Sequence, residues 1–143
     1  MKKHQNLFRD LQEDFRKMKK NLLVAQSGGP TAAINATLAG VIKQAIKEEQ
    51  IDQVYGACYG IQGVLEQKFV NLTEKVDTEE KLEKLKRTPA AALGSCRFKL
   101  NDIKEDDSQY QEIVDILHKM NIGYFVYIGG NDSMDTVHKL AGF

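Results

Sequence analysis

The sequence predicts an α/β fold: a Rossmann-like parallel sheet with helices on both faces. Three observations carry this. Short apolar runs at 21–27 and 124–128 have the length of buried strands. Segments with apolar residues at helical spacing lie between the strands. Paired glycines, Gly28–Gly29 and Gly129–Gly130, stand where those two runs end. Strands alternating with helices make βαβ units and hence a parallel sheet.

The elements follow in order. Residues 1–20 form a basic amphipathic helical extension, with Leu7, Leu11, Phe15 and Met18 on one stripe. This helix is expected to pack on its own domain or on a partner subunit. "NLLVAQS" (21–27) is a buried strand. "TAAINATLAGVIKQAIKEE" is a helix capped by Thr31, with Ile34, Leu38, Val41, Ile42 and Ala45 on one face. "DQVYGACYG" is a strand running into a loop punctuated by Gly56, Gly60 and Gly63, and "FVNLTE" a short edge strand. Asp77 and Glu80 form a capping-box pair for a helix over 78–87. Residues 88–107 show no sustained period and read as loop. Ser108 caps a helix that turns Tyr110, Ile113, Val114, Leu117 and Met120 inward. "YFVYI" (124–128) is a strand, and 133–140 opens a last helix.

Composition narrows the function classes. The 143 residues suit one domain, and 42% hydrophobic with 28% charged residues is ordinary for a globular protein. Net charge is zero, so no overall field favours nucleic acid or an anionic membrane. The charge is uneven: residues 1–20 hold seven Lys/Arg and three Asp/Glu, a net +4, against −4 for the remainder. No apolar stretch approaches the roughly 20 residues that span a bilayer. The N-terminus lacks the apolar core of a secretory signal, and Asp10, Glu13 and Asp14 disfavour a mitochondrial presequence. Cys58 and Cys96 have no metal-type spacing with His4, His118 or His138, and read as reduced thiols of a cytoplasmic protein.

Three motifs carry chemistry. In "SGGPTAAINA", Ser27, Gly28 and Gly29 lie between a strand and a helix. A glycine backbone admits close approach by an anion, and a helix start favours phosphate. The same residues also suit a plain strand-to-helix turn. In "IGGNDSMD", Gly129 and Gly130 repeat that arrangement, followed by Asn131, Asp132 and Ser133. In open α/β sheets, ligands bind outside the carboxyl ends of strands, so the two glycine turns are candidates for one crevice. Asp132 and Ser133 equally suit a helix cap, with Asp132-x-x-Asp135 fitting that role. In "LGSCRFKL", Arg97 offers a planar fork for phosphate, although an isolated loop arginine is more often a surface charge.

Together the motifs resemble the phosphofructokinase family over residues 21–143. The resemblance rests on Ser27-Gly28-Gly29, Asn35-Ala36, the Gly-Ser-x-Arg-Phe loop of Gly94, Ser95, Arg97 and Phe98, and the Gly-Gly-x-x-Ser turn of Gly129, Gly130 and Ser133. It implies a glycolytic transferase, a kinase that moves a phosphoryl group to the 1-hydroxyl of fructose 6-phosphate. It also implies Mg²⁺, a cytoplasmic location and a homo-oligomer. Gly28, Gly29, Arg97, Gly129, Gly130, Asp132 and Ser133 would bind the phosphoryl donor, with Arg97 also stabilising charge. Asp132 and Asn131 would organise the metal. The ATP-using branch has Gly-Gly-Asp-Gly-Ser in the last turn. Asp132 takes the space left there for the inner phosphate of ATP and resembles the pyrophosphate-dependent branch.

Two departures stand out. Asn131 replaces the common acid. The family's Thr-Ile-Asp motif, which holds the general base, and its sugar-phosphate arginines have no match, so the chain resembles the N-terminal part of the fold. Alone it is expected to be inactive. The rival readings are an ATP-dependent phosphofructokinase, a kinase of the NAD or lipid type, and a truncated, catalytically dead binding or assembly subunit.

Overall fold

A computed structural model describes residues 2–27, 32–96, 100, 104–129 and 131–142; at 2–5, 15–18, 32 and 131–133 it describes the backbone alone. The elements are α1 (Lys2–Met18), β1 (Lys20–Gln26), α2 (Ala32–Lys47), β2 (Ile51–Ala57), α3 (Gly60–Leu65), β3 (Phe69–Asn71), α4 (Leu72–Lys75), α5 (Glu79–Arg87), α6 (Ser108–Lys119), β4 (Ile122–Ile128) and α7 (Asn131–Gly142). The four strands make one sheet in the order β3-β2-β1-β4.

β1 is the axis of the molecule. It pairs in parallel with β2 on one side and β4 on the other. Successive side chains of a strand point to opposite faces. Leu22 and Val24 thus join one core with Leu38 and Ile42 of α2, Leu72 of α4 and Leu82 of α5. Leu23 and Ala25 join a second core with Ile61 and Val64 of α3 and Tyr110, Ile113 and Ile116 of α6. Helices therefore cover both faces, as expected. Burial on both sides is why β1 reads as an unbroken apolar run rather than an alternating one.

The sheet is mixed rather than wholly parallel. β3 runs antiparallel to β2, pairing Tyr55 with Asn71 and Ala57 with Phe69. Only residues 58–68 join the two strands, and a parallel crossover needs a dozen residues or more. The Thr73 hydroxyl of α4 accepts the Val54 N–H at 2.9 Å, which closes off part of that edge. On the far side, β4 is the other edge, and no described strand pairs with its outer face.

Several local expectations are corrected. The glycine-punctuated stretch after β2 is not a loop throughout, because residues 60–65 form α3. Gly63 is there for packing: a Cβ on it would lie 1.6 Å from the Cys58 carbonyl oxygen. Helix α5 is capped by Thr78, whose side chain accepts from the Lys81 N–H. Asp77 instead pairs with the Lys81 ammonium at 2.7 Å, so the Asp77–Glu80 capping box is absent. Ser108 is the first residue of α6, not its cap, and its N–H donates to Asp106 Oδ1 at 3.0 Å. Thr31 lies outside the described residues. In α1, Leu7 and Leu11 are each 58% exposed, so this part of the stripe is not buried on the chain's own domain.

These burials set a stability test. Leu38 is fully buried and Leu7 is exposed. Leu38→Ala should lower the unfolding free energy by about 2–5 kcal/mol. Leu7→Ala should stay within about 0.5 kcal/mol of wild type. Urea unfolding of the chain measures both, and equal effects would contradict the two-core packing.

Candidate functional site

The candidate site is set by where two parallel strands stop. β1 and β4 are paired in register up to Gln26 opposite Ile128. The Ser27 N–H extends the ladder by one bond, donating to the Ile128 carbonyl at 2.7 Å. The turns that follow, Gly28–Gly29 and Gly129–Gly130, therefore leave the sheet one strand spacing apart, about 4.8 Å. The helix after β1 packs into one core through Leu38 and Ile42, and the helix after β4 sets Leu140 against the other. Chain paths that diverge to opposite faces at adjacent carboxyl ends open a crevice, the common ligand position in open α/β sheets.

Much of the expected constellation falls outside what is described. Gly28, Gly29, Arg97 and Gly130 lie outside the described residues, and for Asn131, Asp132 and Ser133 the backbone alone is described. Gly129 is described and exposed. Helix α7 begins at Asn131, so Asn131, Asp132 and Ser133 form its first turn. Asp132 and Ser133 thus sit inside the helix rather than at its cap. Asp135 is held by the Lys139 ammonium at 2.8 Å, four residues on, not turned back to the helix start. First-turn N–H groups lack intrahelical acceptors and carry the positive end of the dipole.

The third segment also reaches this end of the sheet. The Leu93 carbonyl accepts the Tyr59 N–H at 2.8 Å, just past the end of β2. Gly94, at φ +77°, lies against the Tyr59 ring, where a Cβ would come within 2.7 Å. Cys96 Sγ is 4.0 Å from Tyr127 Oη of β4. Leu100 is buried in the second core. Residues on both sides of 97–99 are thus fixed near the ends of β2 and β4.

Tyr127 ties these pieces together, and sequence reasoning missed it. Its hydroxyl accepts the Ile61 N–H of α3 at 3.0 Å and also bonds the Ser27 side chain. A Cβ on Gly60, itself at φ +62°, would lie 2.6 Å from Tyr127 Oη, 2.8 Å from Cys96 Sγ and 3.3 Å from the Gln26 carbonyl oxygen. Four chain segments converge there, and only glycine leaves them room. Burial pushes the Tyr127 phenol above its ordinary value, partly offset by its hydrogen bonds from Ile61 and Ser27. The available signal was a polar-tipped residue in an otherwise apolar strand, since buried tyrosines seek a partner for the hydroxyl. Among the described residues, no group of three or more His, Cys, Asp or Glu side chains could hold a metal ion.

Comparison with known proteins fits this geometry. The phosphofructokinase family profile matches residues 21–142, so the chain belongs to that family. It is 44% identical over 119 residues to the pyrophosphate–fructose 6-phosphate 1-phosphotransferase of Rhodospirillum rubrum, covering 83% of this chain and 28% of that protein. It is 40% identical over 122 residues to the enzyme of the same name from Halomonas elongata, covering 85% and 29%. The crystal structure of a pyrophosphate-dependent phosphofructokinase from Nitrosospira multiformis superposes with a TM-score of 0.77 at 37% identity, covering 86% of this chain and 29% of that one. The chain therefore spans less than a third of the length of these relatives.

Removing the Tyr127 hydroxyl leaves the Ile61 N–H without its acceptor. Tyr127→Phe should cost about 1–3 kcal/mol at neutral pH. The folded phenol titrates above the unfolded one, so folding holds the proton more tightly. Its contribution is complete below about pH 10 and is lost as pH rises from there through the folded value. Wild type should therefore lose more stability than Tyr127→Phe between pH 8 and 10.5 in urea unfolding. Parallel losses would remove Tyr127 from this role.

Proposed function

We propose that this chain forms the phosphoryl-donor portion of a pyrophosphate-dependent 6-phosphofructokinase, which transfers a phosphoryl group to the 1-hydroxyl of fructose 6-phosphate. The observation that carries the reading is the level, parallel ending of β1 and β4, closed by the Ser27 N–H to Ile128 carbonyl bond. It places two glycine turns and the start of α7 at one crevice. The printed names of the relatives support the donor assignment. The acceptor pocket and the group that deprotonates the hydroxyl would come from sequence beyond this span.

In this reading the chain contributes position and charge, the main needs of phosphoryl transfer. The backbones of Gly28, Gly29, Gly129 and Gly130 allow the donor to approach closely. The first turn of α7 presents N–H groups to phosphate oxygens. The Ser133 hydroxyl donates to phosphate, and Arg97 neutralises charge on the transferring group. The Asp132 carboxylate and the Asn131 amide oxygen are hard oxygen donors of the kind Mg²⁺ takes, and those two residues would hold it. Bound there, the ion would neutralise phosphate charge. Free thiols at Cys58 and Cys96 suit a cytoplasmic setting. The open β4 edge and the exposed Leu7, Phe8 and Leu11 favour assembly into an oligomer.

Asp132 sets the donor preference. Pyrophosphate has no inner nucleotide phosphate, whereas ATP would bring one toward the carboxylate. Two unit charges about 4 Å apart repel by about 4 kcal/mol at an effective dielectric near 20. Screening by solvent and metal lowers this to about 1–3 kcal/mol, or one to two decades in preference. Calorimetric titration of the chain with Mg–pyrophosphate and Mg–ATP should give tighter binding of pyrophosphate. Asp132→Gly should shift the ratio toward ATP by about 10–100-fold, and Arg97→Ala should weaken both donors. Tighter ATP binding by wild type, or a ratio unmoved by Asp132→Gly, would overturn the assignment.

A further inference from the structure

Two buried amides outside the donor constellation hold the segment that leads to Arg97. Gln26 ends β1 and Asn35 lies in the first turn of α2, and both are fully buried. Gln26 Nε2 donates to the Ile34 carbonyl at 3.2 Å and to Asn35 Oδ1 at 3.1 Å. Gln26 Oε1 accepts the Leu93 N–H at 2.8 Å. Asn35 Nδ2 donates to the carbonyls of Thr88, at 2.6 Å, and Ala90. Asn35 Oδ1 also accepts the Ala92 N–H at 2.9 Å. Four backbone groups between residues 88 and 93 are thereby fixed to the end of β1. Ala90 is held at φ +62°, a conformation that costs a non-glycine residue and persists when its surroundings dictate it.

This attachment is more than buried polar groups finding partners. The segment it fixes runs through Gly94, Ser95 and Cys96 directly into Arg97, while Gln26 directly precedes Ser27 and the first glycine turn. One amide pair therefore sets the distance between the arginine loop and the phosphate turn. We propose that Gln26 and Asn35 are positioning residues for the phosphoryl donor, acting through residues 88–96 on Arg97. The proposal rests on the donor-site reading above.

The test measures Mg–pyrophosphate affinity by calorimetry on the full chain, with folding checked by circular dichroism. Asn35→Asp keeps the acceptor for Ala92 and loses both donors. Gln26→Met keeps the volume and loses the acceptor for Leu93. Each should weaken pyrophosphate about tenfold or more, and neither should weaken it further in an Arg97→Ala background. Asn71→Ala, which removes the helix α4 cap at the other sheet edge, should leave affinity within twofold of wild type. Hydrogen exchange on wild type needs no variant: saturating pyrophosphate should slow exchange of the Ala92 and Leu93 amides, because coupling is reciprocal. Unchanged affinity in a folded variant, full additivity with Arg97→Ala, or exchange indifferent to pyrophosphate would each overturn the positioning role alone. Absence of pyrophosphate binding by wild type would overturn the donor-site reading and this proposal with it.

Discussion

The rest of the structure depends on β1 being held in parallel on both sides while buried on both faces. Leu23, Val24 and Ala25 are fully buried, and their side chains feed two separate cores. A strand so enclosed cannot slip register without moving every apolar side chain to the wrong face. Its partner β4 is therefore fixed along its length, and the two strands end level. What stands at those ends follows from that constraint: a glycine turn on each strand and helices departing to opposite faces.

The carboxyl end of the sheet is organised by polar side chains rather than by apolar packing. Tyr127 joins β4 to α3 and to Ser27, and Gln26 with Asn35 joins β1 and α2 to residues 88–93. A phosphate site needs exposed backbone N–H groups on turns, and turns have little apolar surface with which to fix themselves. Directional hydrogen bonds from buried side chains supply that placement. Such networks are strong when every member is satisfied. Among the described residues, no buried side-chain nitrogen or oxygen lacks a partner.

What was legible in the sequence follows from range. β1, α2, α6 and β4 were readable because their apolar patterns record burial directly, and the glycine pairs marked where strands end. The direction of β3 was not readable, because it is set by the length of a connection that contains an unexpected helix. That helix, α3, was hidden because Gly60 and Gly63 are there for close approach to Tyr127 and Cys58 while looking like loop punctuation. The caps were misplaced by one or two residues because Asp77, Thr78, Asp106 and Ser108 all have side chains that can bond a nearby N–H, and only geometry decides which does. The polar ties of Gln26, Asn35 and Tyr127 reach as far as 67 residues along the chain and leave no local pattern. The candidate site itself was legible as an ordered set of motifs. Its convergence came from strand register, which no single motif contains.

The central claim is that the turns after β1 and β4 make one anion site. Amide chemical-shift titration of the isotopically labelled chain with Mg–pyrophosphate addresses it most directly. The account predicts that the amides of Ser27, Gly28 and Gly29 shift together with those of Gly129 to Ser133 and Arg97, all following one saturation curve. Shifts confined to one turn, or two turns saturating at different concentrations, would contradict it.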